Sequence, residues 1–299
     1  MRFTKMQGCG NDYVYVDLTH EEVPPEPRRA ELVRQLSDRH FGIGGDGVIF
    51  IDRPADGNAD FEMIMYNADG TRAEMCGNGI RCVAKFVYDK GLTKEKEITI
   101  ESMGAQKYLT LTVDPATDTV SQVRVDMGAP ILTPAQIPLA LPGAQMAQDQ
   151  IVDHPITIEH PAAGFPATSR MTCVSMGNPH AVILLPSGQT TEDLPLAEIG
   201  PQFEHHAFFP KRTNTEFVQV VDRSHVRMRV WERGTGETLA CGTGCCATTV
   251  ACILNGVTDR HVTVQVLGGA IDCEWDEKTG HVFMTGPAVT AFEGTIDLR

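Results

Sequence analysis

The chain has 299 residues, 42% hydrophobic and 21% charged, with a net charge of −14. That length suffices for two domains with cores of their own. The acidic balance argues against a nucleic-acid surface, and no stretch has the length and apolarity of a membrane span. Nine cysteines, an odd number without a secreted disulfide spacing, predict a reducing cytoplasm. The opening Met1-Arg2-Phe3-Thr4-Lys5-Met6 alternates like a strand and lacks the apolar core of a signal peptide.

Residues 1–17 read as a strand, a turn at Gly8-Cys9-Gly10-Asn11-Asp12, and a second strand, Tyr13–Asp17. Asn11 has an ordinary explanation there, since Asn tolerates left-handed turns. A Pro-rich stretch at 24–27 precedes a helix over Arg28–His40, with Ala30, Leu32, Val33 and Leu36 apolar. The loop Phe41–Gly47 is Gly-rich, but it lacks Gly-Lys-Ser/Thr and precedes a strand, Val48–Ile51, so a nucleotide loop is a poor fit. A tight turn that lets backbone approach a small ligand fits better. Met63–Tyr88 reads as a strand, a Gly-rich turn, Cys76, and a helix with Ile80, Val83, Ala84 and Val87 on one face. Arg81 and Lys85 are expected on its solvated side. Strands follow at Glu97–Glu101, Tyr108–Val113 and Val120–Asp126 before Met127-Gly128-Ala129-Pro130 breaks the pattern.

That break places a domain boundary near Val125: residues 1–125 with about 287–299 form one half, and 126–286 the other. Much of the Pro-, Ala- and Gln-rich stretch 130–164 is expected to be edge or surface structure. Met171–Leu185 carries Gly177-Asn178-Pro179-His180 between apolar strands, Pro195–His205 is weakly helical, and Arg212-Thr213-Asn214-Thr215-Glu216 leads into the strand Phe217–Val221. Val226–Trp231 alternates as a half-buried strand does. A Gly-rich turn and Cys241 follow, and then Gly244–Leu254, which has no charged side chain and reads as a buried helix. Strands at Val262–Leu267, Ala270–Trp275 and His281–Thr285 precede a last segment expected to return to the first half.

The two halves repeat. Cys241 lies 165 positions after Cys76, and at that offset Trp231, Glu232, Gly242, Thr243 and Gly244 match Tyr66, Asn67, Gly77, Asn78 and Gly79. Asn178 matches Asn11 at an offset of 167. An internal duplication sets the architecture: each half presents one cysteine at a helix start. Free N–H groups and the helix dipole there favour a thiolate and can hold a carboxylate. Both cysteines are therefore acid/base candidates. Cys82, Cys173, Cys245, Cys246, Cys252 and Cys273 read as core packing, and Cys9 stays undecided. A zinc site lacks paired C-x-x-C knuckles, and a Cys76–Cys241 disulfide would be an oxidation product. Glu232-Arg233 is either a strand-end ion pair or a carboxylate clamp. Asn67, Asn178 and Asn214 add neutral donors and acceptors. His180 is either a general base or an orienting group.

These motifs resemble the diaminopimelate epimerase family over nearly the whole chain: KMQGCGNDYVYVD at 5–17, GIGGDG at 42–47, YNADGTRAEMCGNGIRC at 66–82, SMGNPHAV at 175–182, TNTEFVQVV at 213–221 and WERGTGETLACGTG at 231–244. Proline racemases share the twin-cysteine logic, but Asn78-Gly79 stands where they would carry a histidine. The resemblance implies an α/β fold of the α+β type, with two pseudo-symmetric domains, each a mainly antiparallel sheet curled around a central helix. It implies a dry, closed cleft, no pyridoxal phosphate or other cofactor, no metal, and a homodimer. Diaminopimelate would be the small-molecule partner, with no nucleic acid and no membrane. Cys241 would accept the α-hydrogen and Cys76 donate in the LL to meso direction. His180 and Glu232 would support catalysis. The backbone of Gly77, Asn78, Gly242 and Thr243 would cradle the reacting carboxylate. Asn11, Asn67, Asn178, Asn214, Glu232 and Arg233 would contact substrate. Gly47 departs from the pattern, standing where some members carry a substrate-touching Gln. A racemase of another amino acid, or a thiol redox or metal-binding protein, are the alternatives.

Overall fold

The computed structural model describes residues 1–73, 75–143 and 150–298. It is a mixed α/β protein, mostly strands, with four helices among the described residues. The chain divides into two compact units, Met1–Asp126 with Thr285–Arg299, and Met127–Met284. No helix among the described residues is long and apolar enough to cross a membrane.

The first unit holds β1 (Arg2–Gly8), β2 (Asn11–Asp17), α1 (Arg28–Ser37), β3 (Gly47–Asp52), β4 (Phe61–Asn67), β5 (Arg72–Ala73), α2 (Gly77–Asp89), β6 (Glu97–Ser102), β7 (Ala105–Asp114) and β8 (Thr119–Asp126). Antiparallel pairs join β1 to β2, β3 to β4, β4 to β5, β6 to β7 and β7 to β8. Two pairs are parallel, β2 with β3 and β4 with β6. A parallel pair needs a crossover, and each crossover here carries a helix, α1 in the first and α2 in the second. Strand alternation then sorts the side chains. Val14 and Val16 pack with Leu32, Val33 and Leu36 of α1, whereas Tyr15 turns the other way and its hydroxyl donates to the Gly79 carbonyl of α2. The sheet wraps α2, which touches β1, β2, β6, β7 and β8.

The second unit holds β9 (His154–Thr157), β10 (Thr168–Ser175), β11 (Pro179–Leu184), α3 (Leu196–Glu204), β12 (Asn214–Val220), β13 (His225–Glu232), β14 (Gly236–Thr238), α4 (Gly242–Leu254), β15 (His261–Val266), β16 (Gly269–Trp275) and most of β17 (Val282–Gly286). Its pairings run in the same sequence as the first unit's. β10–β11 is antiparallel, β11–β12 parallel, β12–β13 and β13–β14 antiparallel, β13–β15 parallel and β15–β16 antiparallel. The uncharged α4 is the wrapped helix, touching β10 to β13, β15 and β16. The last strand, β18 (Val289–Thr295), runs antiparallel to β1 in the first unit.

One boundary changes, and one stretch divides into core and surface. The first helix stops at Ser37 rather than His40, because Asp38 is extended and its carboxylate accepts the His40 and Phe41 N–H groups. The stretch 130–164 is not all surface. Ile137, Leu139, Leu141, Ile151, Ile156 and Ile158 enter the core with Phe203 of α3 and Phe217 of β12. Its interspersed Pro and Gln mask those apolar residues from a compositional reading. The portion 144–149 lies outside the described residues.

Candidate active site: a cysteine at the start of each wrapped helix

In the first unit Cys76 caps α2. Its backbone is extended, and its sulfur accepts the Gly79 N–H at 3.3 Å. The same sulfur lies 3.1 Å from Asn11 Oδ1. Asn11 is oriented from behind, since its Nδ2 donates to Asp46 Oδ2 at 2.7 Å. Asp46 also accepts the Asp12 N–H and is paired to Arg39, so the Gly-rich loop before β3 fixes the amide that faces the thiol. Behind the helix start, Arg81 has no exposed surface. Its guanidinium donates to the Gly77 and Pro287 carbonyls and to Asn78 Oδ1. Arg81 is therefore not a solvated residue. It braces the first turn of α2, and Lys85 reaches the Val120 carbonyl and Asp89. The sheet wraps the helix on the face that would otherwise meet water.

In the second unit Cys241 caps α4 with the same extended backbone and is 6% exposed. Its sulfur lies 3.5 Å from Thr243 Oγ1, which accepts from Asn178 Nδ2 at 3.2 Å. Asn178 Oδ1 meets His180 Nε2 at 3.0 Å, and His180 Nδ1 meets Glu216 Oε1 at 2.7 Å. His180 and Glu216 are fully buried. Glu232 lies against Cys241 and accepts from Thr238 Oγ1. Burial first, then Glu232 and Glu216, push the Cys241 thiol well above its ordinary range, while Thr243 and the Gly244 N–H pull it back. The helix start alone predicts a lowered thiol. That expectation is corrected for Cys241, because desolvation and two carboxylates outweigh the helix end.

The sequence model of the diaminopimelate epimerase family matches residues 3–133 and 172–291. The chain belongs to that family. It is 54% identical to the diaminopimelate epimerase of Agathobacter rectalis, with 100% of both chains covered. It is 50% identical to that of Acetivibrio thermocellus, over 100% of this chain and 99% of the relative. Among solved structures, a hydroxyproline epimerase from Agrobacterium vitis superposes with a TM-score of 0.67 at 14% identity, covering 98% of this chain and 91% of that one. A phenazine biosynthesis protein of Bacillus anthracis does so at 0.64 and 14%, covering 100% and 99%. At that identity these two show a shared fold.

The remaining residues singled out by their diaminopimelate epimerase motifs fall as follows. Asn214 opens β12, and its Oδ1 accepts the Arg233 N–H at 2.8 Å. The Arg233 guanidinium is exposed and donates to the Lys211 carbonyl. Asn67 is exposed at the end of β4 and holds Thr71. Gly77, Asn78 and Gly242 are buried at the helix starts, and Thr243 is partly so. Gly47 opens β3, and a Cβ there would lie 2.0 Å from the Tyr66 carbonyl, so only backbone is available. Cys9 is buried in a left-handed turn beside Arg81. Sequence reasoning missed Glu216. The available signal was a carboxylate two residues beyond Asn214, hence on the same strand face, entering an otherwise apolar run.

Proposed function

We propose that this chain is a diaminopimelate epimerase, interconverting LL- and meso-2,6-diaminopimelate for lysine and peptidoglycan-precursor synthesis. The observation that carries the reading is a pair of similar units, each holding a cysteine as the N-cap of its wrapped helix. Inversion needs two groups acting on opposite faces of one α-carbon, and two thiols meet that need. In the LL to meso direction the Cys241 thiolate takes the α-hydrogen as a proton, and the Cys76 thiol gives its proton to the other face. The roles swap in reverse. The N–H groups at the starts of α2 and α4, from Gly77, Asn78, Gly242 and Thr243, hold the carboxylate that gathers charge as the hydrogen leaves. Asn11, Asn67, Asn178, Asn214, Glu232 and Arg233 contact substrate, Arg233 on the distal carboxylate, and Gly47 contributes backbone. His180 and Glu232 support Cys241. The odd number of cysteines without a secreted spacing suits a reducing cytoplasm, and the family resemblance supports a homodimer, to be checked by sedimentation.

The test is α-hydrogen exchange. Reduced protein is incubated in deuterated water with LL-diaminopimelate and no added cofactor, and product mass and stereochemistry are followed. The wild type yields meso product carrying deuterium, and Cys76→Ala and Cys241→Ala each lose at least about 10³-fold in rate. Exchange into another amino acid alone would keep the chemistry and change the substrate. No exchange into any amino acid would overturn the enzyme reading.

A further inference from the structure

The turn between β13 and β14 carries the Glu232-Arg233 pair, and one buried carboxylate holds that turn. Glu204, the last residue of α3, is 4% exposed. Its Oε2 accepts the indole N–H of Trp231 at 2.7 Å, and its Oε1 accepts the backbone N–H of Gly234 at 2.8 Å. These two donors flank Glu232-Arg233 in sequence, so the carboxylate clasps the pair from both sides. Oε1 also meets Arg212 Nη1 at 3.1 Å. An indole N–H, a peptide N–H and a guanidinium can only donate, so both oxygens must accept. Burial pushes the Glu204 carboxyl up, but the Trp231 and Gly234 N–H groups, with His205 and Arg212, outweigh it and hold the carboxyl below its usual range. The indole ring is fixed as well: it lies so close on Gly200 of α3 that a Cβ there would overlap it.

The two members of the pair depend on this clasp unequally. Glu232 is still within the strand ladder, opposite Gly236, and its side chain accepts from Thr238. Arg233 lies past the last rung. Its N–H goes to Asn214 Oδ1 at 2.8 Å and its guanidinium to the Lys211 carbonyl at 3.2 Å. Both partners sit in the segment 211–214, which Glu204 holds through Arg212. One carboxylate thus ties the turn that carries Arg233 to the segment on which Arg233 leans. The Arg233 guanidinium is exposed and makes no ion pair among the described residues. The first unit provides the contrast. There Tyr66 matches Trp231 and its hydroxyl donates to Glu26, but Glu26 is exposed and, among the described residues, takes no N–H from the turn that follows. Ala68 stands at the place matching Arg233, 165 positions earlier. The two-sided clasp occurs in the unit whose turn carries the arginine.

We propose that Glu204 is a positioning residue for substrate recognition: by clasping the turn at Trp231 and Gly234 it aims the Arg233 guanidinium at the distal carboxylate of the substrate. This rests on the reading of the chain as a diaminopimelate epimerase. The distal carboxylate keeps its charge throughout the reaction, so a guanidinium that holds it binds ground state and transition state alike. Loosening that guanidinium raises KM and leaves kcat. Glu232 stays in the ladder when the clasp opens, which is why the loss falls on recognition rather than on the chemistry at Cys241.

The test pairs kinetics with backbone amide exchange. Glu204→Gln keeps the side chain's size but offers one acceptor oxygen instead of two, so its NH2 group must face Trp231 or Gly234. In the substrate-free protein it is expected to speed amide exchange of the peptide 231–236 by at least about tenfold, with the α4 peptide unmoved. KM for LL-diaminopimelate is expected to rise about tenfold, the size of one hydrogen bond, with kcat held within about twofold. Arg233→Met alone should raise KM about a hundredfold, and the double variant no further, because Glu204 acts through Arg233. Unmoved amide exchange, an unmoved KM, a fall in kcat in place of a rise in KM, or a KM that rises further in the double variant would each overturn the proposal. Should Glu204→Gln fail to fold, Trp231→Phe keeps an aromatic ring on Gly200 and removes one of the clasp's donors, and the same split is expected with a several-fold rise in KM. Wild-type turnover is scored first. A wild type inactive on diaminopimelate would overturn the epimerase reading and the proposal with it, whereas an active wild type beside a variant of unmoved KM would overturn the proposal alone.

Discussion

Arg81 shows how much a single buried side chain can organise. Its guanidinium holds the Gly77 carbonyl, the Asn78 amide and the Pro287 carbonyl at once. Each buried acceptor left without its donor costs about 1–3 kcal/mol. Arg81→Met is therefore expected to lower the unfolding free energy by about 3 kcal/mol, measured by urea denaturation. Arg81→Lys should recover little, because a single ammonium cannot span three directions. In the sequence Arg81 and Lys85 look like one polar helix face, and only the curl of the sheet reveals that this face is covered. Cys76 and Cys241 were legible because Gly-rich turns, helix starts and duplication all point at them. Glu216 was not, because its partner His180 is 36 positions away and meets it only through the parallel pairing of β11 with β12. The raised Cys241 thiol was hidden for the same reason: Glu232 and Glu216 arrive from two other strands.

The wrapped helices share their punctuation. α2 and α4 each begin on an extended cysteine and end before a left-handed glycine, Gly91 or Gly256, again 165 apart. These signals are local, which is why both helices could be placed from sequence. The short strands β5, β9 and β14 could not, since two to four residues carry too little periodicity. Equivalent positions in the two helices should nevertheless answer mutation differently. A Cβ on Gly79 would meet Ile49 Cδ1 at 2.7 Å, whereas one on Gly244 would meet Glu216 Oε1 at 2.8 Å. Ile49 can swing its terminal methyl aside, so Gly79→Ala should cost about 1–2 kcal/mol of stability in a urea melt. Gly244→Ala must displace the carboxylate that holds His180. Its stability loss should be similar, but its exchange rate should fall a further tenfold or so, about 1.4 kcal/mol of barrier.

At the scale of the molecule, the many buried thiols set a limit on the alkaline side. Burial pushes Cys82 up to about 11 and Cys252 up to about 12, and raises Cys173 further. Cys9, Cys241 and Cys246 are raised as well. The folded chain keeps these protons where the unfolded chain has lost them, so their stabilisation is complete below the ordinary thiol range and is lost as pH rises through the folded values. Each such thiol removes about 1.4 kcal/mol per pH unit once the free thiol, near about 8.5, is ionised. Urea melts under reducing conditions should therefore lose several-fold more stability between about pH 9 and pH 10 than between about pH 7 and pH 8. The pairing of β18 with β1 bears on how the chain is made. β1 leaves the ribosome before β2–β18, yet one of its two neighbours, β18, is the last of these to be made. Every residue of Met127–Met284 emerges before that neighbour exists. The later-encoded unit thus has its full complement of strands first, and the earlier-encoded one must wait with an open sheet edge throughout translation of the other.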